Sequence, residues 1–296
     1  MLSLHTNAAA LTSQNAVGSV QKQLSTSMTR LGTGYRINSA MDDAAGLQIA
    51  TRLNSQTRGM AVAMRNTQNG ISMMQTAEGA FNEVADILLR MKDLSTEAAS
   101  DSSSVDDKKS MQSEYDALGE ELANIVKNTS FGGANLFSSG TTVDGSAGKL
   151  SAAMTFQIGA AKSETMSVDV SASLTGLATK LTGLSSHYSA TAVTTAGTEI
   201  ATTTAANTKI DDISKALDDV SSLRASLGAA SNRLDHVYNN LSNMSTNTTQ
   251  ARSRIMDVDY ASETANMTSK QLLMQASTSM LKQSSSMSQL VLSLMQ

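Results

Sequence analysis

Ile213, Val220, Leu227, Leu234 and Leu241 stand at strict seven-residue spacing, and this row constrains the fold more than any other feature of the chain. A companion row, Leu223, Ala230, Val237 and Met244, keeps the same step. Seven residues make nearly two α-helical turns, so each row follows one face of a helix. A sustained repeat of this kind marks helices packed lengthwise on one another. The chain has no Pro, so no residue both lacks the backbone N–H and blocks the preceding turn. Very long helices are therefore open to it.

Two further segments repeat the pattern. Leu53, Met60, Thr67, Met74, Phe81 and Leu88 form a second row with one polar interruption. Met111, Tyr115, Leu118, Leu122 and Ile125 alternate steps of 4 and 3. Aromatic residues are 3% of the chain and Trp is absent, whereas Met reaches 18. With little aromatic bulk, the core must be filled by Leu, Ile, Val, Met and Ala, which suits narrow helical bundles.

Both chain ends carry apolar stripes. Leu4, Leu11, Val17, Val20, Leu24, Met28 and Leu31 form one; Leu273, Met280, Met287 and Leu294, seven apart, form the other. Met267, Met274, Leu281 and Met295 widen the second stripe, which predicts a last helix apolar toward more than one neighbour. The remaining positions are mostly Ser, Gln and Thr. A lone solvated helix would carry more Glu and Lys, so both ends are expected to bury themselves against other chains.

The middle differs. "FGGANLF" (131–137) predicts a helix stop and turn. "AMTFQIGA" (153–160) and "ETMSVDVS" (164–171) alternate apolar and polar residues and, with Ala161–Ser163 between them, predict a β-hairpin. Residues 185–207, rich in Ser, Thr and Ala, show no clean period and predict a short exposed loop. The expected fold is mainly α: a long antiparallel bundle or coiled coil formed by both chain ends, with a small hairpin region in the middle.

Several classes of function have no support. Net charge is −4, which offers nucleic acid no electrostatic footprint. No apolar run of about 18 residues marks a membrane span, and the terminal stripes lack the basic face of a membrane-surface helix. With no Cys, disulfides and thiolate metal sites are excluded. "MLSLHTNAAALTSQNAV" lacks the basic start and continuous apolar core of a Sec-type signal peptide. His5, His187 and His236 are too far apart for a local metal motif, and H-E-x-x-H is absent. Gly32 and Gly34 follow no strand and lack the third Gly of a phosphate loop, so they predict a flexible joint between helices. No nucleophile, base and orienting group come together; an enzyme is not expected, nor is any cofactor.

Asp42 and Asp43, in "INSAMDDAAGLQIATRL" (37–53), resemble a catalytic or metal-binding pair. No third carboxylate or His lies near in sequence, and neighbouring residues on a helix diverge by about 100°. Asn38 and Ser39 are good N-cap types, and acids in a first turn complement the helix dipole. Architecture is the expected role.

The motifs "RLGTGYRINSAMDDAAGLQIATRL" (30–53), "RNTQNGISMMQTAEGAFNEV" (65–84) and "NNLSNMSTNTTQARSRIMDVDYASETANM" (239–267) resemble bacterial flagellin, over about residues 1–180 and 208–296. The short middle resembles minimal flagellins without large outer domains, and the small size and Met richness resemble lateral flagellins. The resemblance implies a structural subunit that polymerises into the hollow flagellar filament used in swimming or swarming. It implies unfolded type III export, assembly at the distal tip and an extracellular location. The implied partners are other copies of the chain, an export chaperone, the cap and the hook-associated proteins. A hook–filament junction protein, which has similar ends, is the alternative.

By the same resemblance, residues 1–34 and 262–296 form a coiled-coil inner tube, 35–46 and 250–261 a connector, and 47–184 with 208–249 the outer-tube bundle, its hairpin near 152–171. Leu4, Leu11, Val17, Leu24, Leu31, Leu273, Met280, Met287 and Leu294 are the expected polymerisation core. Charge contacts among Asp42, Asp43, Arg252 and Arg254 are expected to link the connector strands. "LLRMKDLSTE" (88–97) resembles the segment read by the innate immune receptor TLR5, with Arg90 and Leu94 at its key positions and Glu114 as partner. Leu89, Met91, Lys92 and Thr96 depart from that pattern. Leu88, Met91 and Leu94 are also at bundle-core spacing.

Overall fold

The computed structural model describes residues 7–294, with side chains to 286; Leu4 lies outside the described residues, as do the side chains of Met287 and Leu294. The chain divides into two units. One comprises the two chain ends, up to Thr57 and from Thr246; the other runs from Arg58 to Ser245.

In the first unit, α1 (Ala8–Thr33) packs on α6 (Tyr260–Leu294). The Asn7 side chain caps α1 by accepting from Ala10 N, and its amide donates to Ser284 O at 3.0 Å. Farther along, Lys270 Nζ lies 3.4 Å from Ser27 Oγ and Arg30 Nη1 lies 3.8 Å from Glu263 Oε2. Residue numbers rise on one helix as they fall on the other, so the pair is antiparallel. Leu24 and Ser27 are buried, with Val17, Val20 and Leu31 half-buried. On α6 the half-buried row is Met267, Met274 and Leu281.

Two long helices run through both units, α2 (Ala44–Ala98) and α5 (Thr203–Met256). In the second unit, 58–98 and 203–245 build a core with α3 (Val105–Asn128). Ser104 and Asp107 form a capping box that starts α3, each side chain accepting from the other's backbone N–H. The row Ile213, Val220, Leu227, Leu234 and Leu241 is buried throughout, as are Met60, Thr67, Met74, Phe81 and Leu88. The polar interruption is satisfied: Thr67 Oγ1 donates to Ala63 O at 2.8 Å. The companion row fades, since Val237 is half-buried and Met244 exposed. Phe81 meets Phe137 with ring centroids 4.6 Å apart in the core; Tyr115 and Tyr188 are buried too, whereas Tyr35 and Tyr260 are exposed.

The stop after α3 becomes a two-residue hairpin, β1 (Ser130–Phe131) with β2 (Ala134–Asn135). Gly132 and Gly133 both take positive φ there, the conformation such a turn demands. The second hairpin pairs β3 (Met154–Gln157) with β4 (Thr165–Val168), placing Met154 opposite Val168 and Phe156 opposite Met166. Its link is longer than the expected three residues because the ladder stops at Gln157 and Thr165; residues 158–164 close on themselves, with Ala161 N donating to the Glu164 carboxylate at 2.8 Å.

Two findings differ from the sequence reading. Residues Ser171–Leu184 form a helix, α4, that buries Leu174, Leu177, Ala178, Leu181 and Leu184; its Gly, Ser and Thr content obscures that face. The 185–207 segment is only in part an exposed loop: its last five residues begin α5, and Ser185, His187, Tyr188 and Ile200 are buried, while most of 191–198 is exposed. Side chains of α3 give its backbone the partners that a regular element would supply. Gln112 Oε1 accepts from Ile200 N and Asp116 Oδ2 from Gly197 N, both at 2.8 Å.

Candidate functional site

The terminal unit presents a one-sided seam. Helix α6 carries two apolar rows, and α1 covers only one. Met267, Met274 and Leu281 are half-buried, whereas Leu273 is 52% exposed, Met280 65% and neighbouring Leu272 62%. On α1, Leu11 is 57% exposed, although Val17, Leu24 and Leu31 lie in the seam. Among the expected polymerisation residues, the pair of helices therefore separates those that hold it together from those left uncovered. Ala265, Thr268, Ser269, Leu272, Leu273 and Ala276 line a shallow groove on α6. Its chemistry is apolar and hydroxyl, without formal charge, and it suits contact with another helix of similar composition.

Beyond this seam the chain pairs with itself by backbone. Arg36 N donates to Met256 O at 2.6 Å and Val258 N to Gly34 O at 3.0 Å, with Tyr35 opposite Asp257. Arg36 Nη2 adds a bond to Ile255 O at 2.8 Å. Gly34 ends α1 in the left-handed conformation, φ 77°, its N–H returning to Arg30 O. It is thus a defined helix stop, where a flexible joint was expected. A Cβ on it would also come 2.9 Å from the Tyr260 hydroxyl.

The expected charge contacts among Asp42, Asp43, Arg252 and Arg254 do not form. Asp42 Oδ2 accepts from Asn38 N at 3.1 Å and Ser39 N at 2.9 Å. These bonds, Ser39 first and Asn38 second, hold its carboxyl below the usual Asp range, with a smaller contribution from Arg30. Asp43 Oδ1 accepts from Gly46 N at 2.8 Å and so caps α2. The acids therefore precede the helix they were expected to occupy, because short side chains satisfy the free N–H groups of a turn and a helix start. Arg252 Nη1 instead donates to Asn54 Oδ1 at 2.9 Å, and Arg254 is exposed. Arg30, which sequence reasoning missed, lies 4.0 Å from Asp42 and 3.8 Å from Glu263. A cation in the last turn of α1 was the available signal.

In the second unit, Arg90 Nε and Nη2 reach Glu114 Oε1 at 2.8 and 2.7 Å, joining α2 to α3 on the surface. Leu94 is 2% exposed and belongs to the core. Among the described residues, no three His, Asp or Glu are placed to hold a metal ion, and no helix is long and apolar enough to cross a membrane.

Residues 4–142 match the bacterial flagellin N-terminal helical region, and residues 210–295 match the bacterial flagellin C-terminal helical region. The chain belongs to the bacterial flagellin family. It is similar to flagellin B of Vibrio anguillarum, 35% identical with 99% of each chain covered. It is also similar to polar flagellin F of Vibrio parahaemolyticus, 34% identical with the same coverage. These alignments run over 376 and 384 positions against 296 residues here, so the relatives carry segments that this chain lacks. A solved Vibrio parahaemolyticus chain described as a flagellar hook-associated protein shares the fold, with a TM-score of 0.54 at 15% identity, covering 73% of this chain and 100% of that one. As a flagellin, the chain is a structural subunit of the bacterial flagellar filament.

Proposed function

We propose that the uncovered row of α6 and the exposed end of α1 are the surfaces by which copies of the chain polymerise. Leu273 and Met280 carry the reading, being half or more exposed on a helix whose other apolar row is already paired. Covering each such side chain stabilises by roughly 1 kcal/mol, and a filament repeats that gain at every subunit. Residues 1–34 with 262–296 form the inner tube and the bundle with its hairpin the outer tube. The paired backbone at 34–36 and 256–258 lies in the connector, ordered by the turn and helix cap that Asp42 and Asp43 make and by the Arg252 bond to Asn54.

The chain is exported unfolded by a type III apparatus with a chaperone. Addition occurs at the extracellular tip beneath a cap, beyond the hook-associated proteins. The role is mechanical, with no catalysis. Electron microscopy of purified subunit incubated with short filament seeds tests the reading. Long, uniform, hollow filaments are expected; seeds that stay short, with protein left in solution, would favour a junction role.

The Arg90–Glu114 pair is proposed as a surface feature read by TLR5 in the free subunit, with buried Leu94 fixing the backbone beneath it. Arg90→Ala is expected to lower monomer potency in a receptor-signalling assay by roughly tenfold, the size of a lost charge-assisted contact. Unchanged potency removes this proposal.

A further inference from the structure

Residues 185–202, the strap joining α4 to α5, lie within the 143–209 stretch outside both family matches. The strap holds a buried histidine whose surroundings fit one charge state. His187 Nδ1 is 3.0 Å from Glu120 Oε1, and Nε2 is 3.0 Å from the Thr195 carbonyl oxygen. A carbonyl and an ionised carboxylate only accept. Neutral imidazole has a single N–H and would leave its other nitrogen lone pair against an oxygen lone pair. The imidazolium donates to both. A second anion, Asp116 Oδ2, lies 3.5 Å from Nε2.

The other charged groups around the strap have assigned partners. Glu199 accepts from Ser186 N and Gln112 Nε2, each at 2.7 Å. Asp116 accepts from Gly197 N and Gln112 Nε2. Lys127 donates to Ala190 O and Lys108 to Thr203 Oγ1, at the flanks. Tyr115, neutral because burial pushes its hydroxyl up, donates to Leu184 O. The seat itself is shaped for close approach: a Cβ on Gly119 of α3 would come 2.9 Å from Ser185 Cβ.

We infer that His187 is a proton-controlled clasp: its imidazolium holds the 185–202 strap on α3, and loss of that proton to alkaline solvent releases the strap while the helical bundle stays folded. Burial alone disfavours the charge, but the hydrogen bonds to Glu120 and Thr195, with the charges of Asp116 and Glu120, outweigh it and raise the pKa above the ordinary His value. The sign follows. A group raised on folding stabilises fully below the unfolded His value of about 6.5 and loses that contribution as pH rises through the folded value.

The test uses the full chain. Histidine ring protons are followed by NMR from acid to alkaline pH, with His187→Gln assigning the signal. Hydrogen exchange of peptides from 185–202, corrected for the intrinsic pH dependence, is measured over the same range. His187 should titrate above the ordinary His value of about 6.5. Strap protection should fall roughly ten- to a hundredfold across that titration, as for one lost charge-assisted hydrogen bond, while α2 and α5 peptides keep theirs. His187→Gln should remove the pH dependence, and Glu120→Gln should lower the His187 midpoint. Should His187→Gln not fold, Glu120→Gln, altering a half-exposed residue, carries the same test. A His187 titrating at or below the ordinary His value of about 6.5, a strap unchanged through its titration, or an unmoved midpoint in Glu120→Gln overturns the inference.

Discussion

A chain ending at residue 271 is expected to lose seeded polymerisation entirely while residues 58–245 still unfold cooperatively. The truncation removes the exposed Leu272, Leu273 and Met280 of α6, together with Met274 and Leu281 of the seam with α1. It touches none of the buried residues that form the main core, which all lie between Met73 and Leu234. Electron microscopy and sedimentation would show protein remaining soluble beside unextended seeds. Circular dichroism would show a helical signal reduced by little more than the missing α6 residues. Filaments of ordinary length from the truncated chain would remove the assembly surface proposed for α6.

Phe81→Ala should act in the opposite way. Phe81 is 1% exposed and packs on Phe137; with few aromatics elsewhere, no neighbour has the bulk to fill the space left. The expected loss is roughly 3–5 kcal/mol of subunit stability, in the range of buried Phe truncations, read as a lower urea midpoint of the monomer. Leu273→Ala is the contrast: its half-exposed side chain supports little in the monomer, so its unfolding midpoint should stay while seeded growth slows. If Leu273→Ala destabilises the free subunit as much as Phe81→Ala, the division between core and assembly residues is wrong.

Much of the architecture was legible because periodicity is a local property. The row Ile213–Leu241 and the row through Met60, Met74, Phe81 and Leu88 bury as spaced, since a helix without Pro keeps every seventh residue on one face. The alternation through Met166 and Val168 likewise located a strand, although Val170 already stands at the N-cap of α4. The terminal stripe was too wide for one partner, and two rows with different exposure are its structural form.

What escaped was relational. Asp42 and Asp43 bond to backbone N–H groups within four residues, and no pattern of charge types distinguishes that from a cross-chain ion pair. The strap had no period because its order comes from Gln112, Asp116 and Glu120, about 65 to 90 residues earlier in the chain. The sequence by itself determined the long helices and their apolar faces, because backbone geometry repeats those choices along a single helix; the short α4, rich in Gly, Ser and Thr, was not among them. Only the tertiary structure decided which apolar row α1 covers, which carboxylate meets His187 and which glycine admits Ser185. Each of these depends on two distant segments arriving within a few ångströms, and composition and spacing carry no measure of that distance.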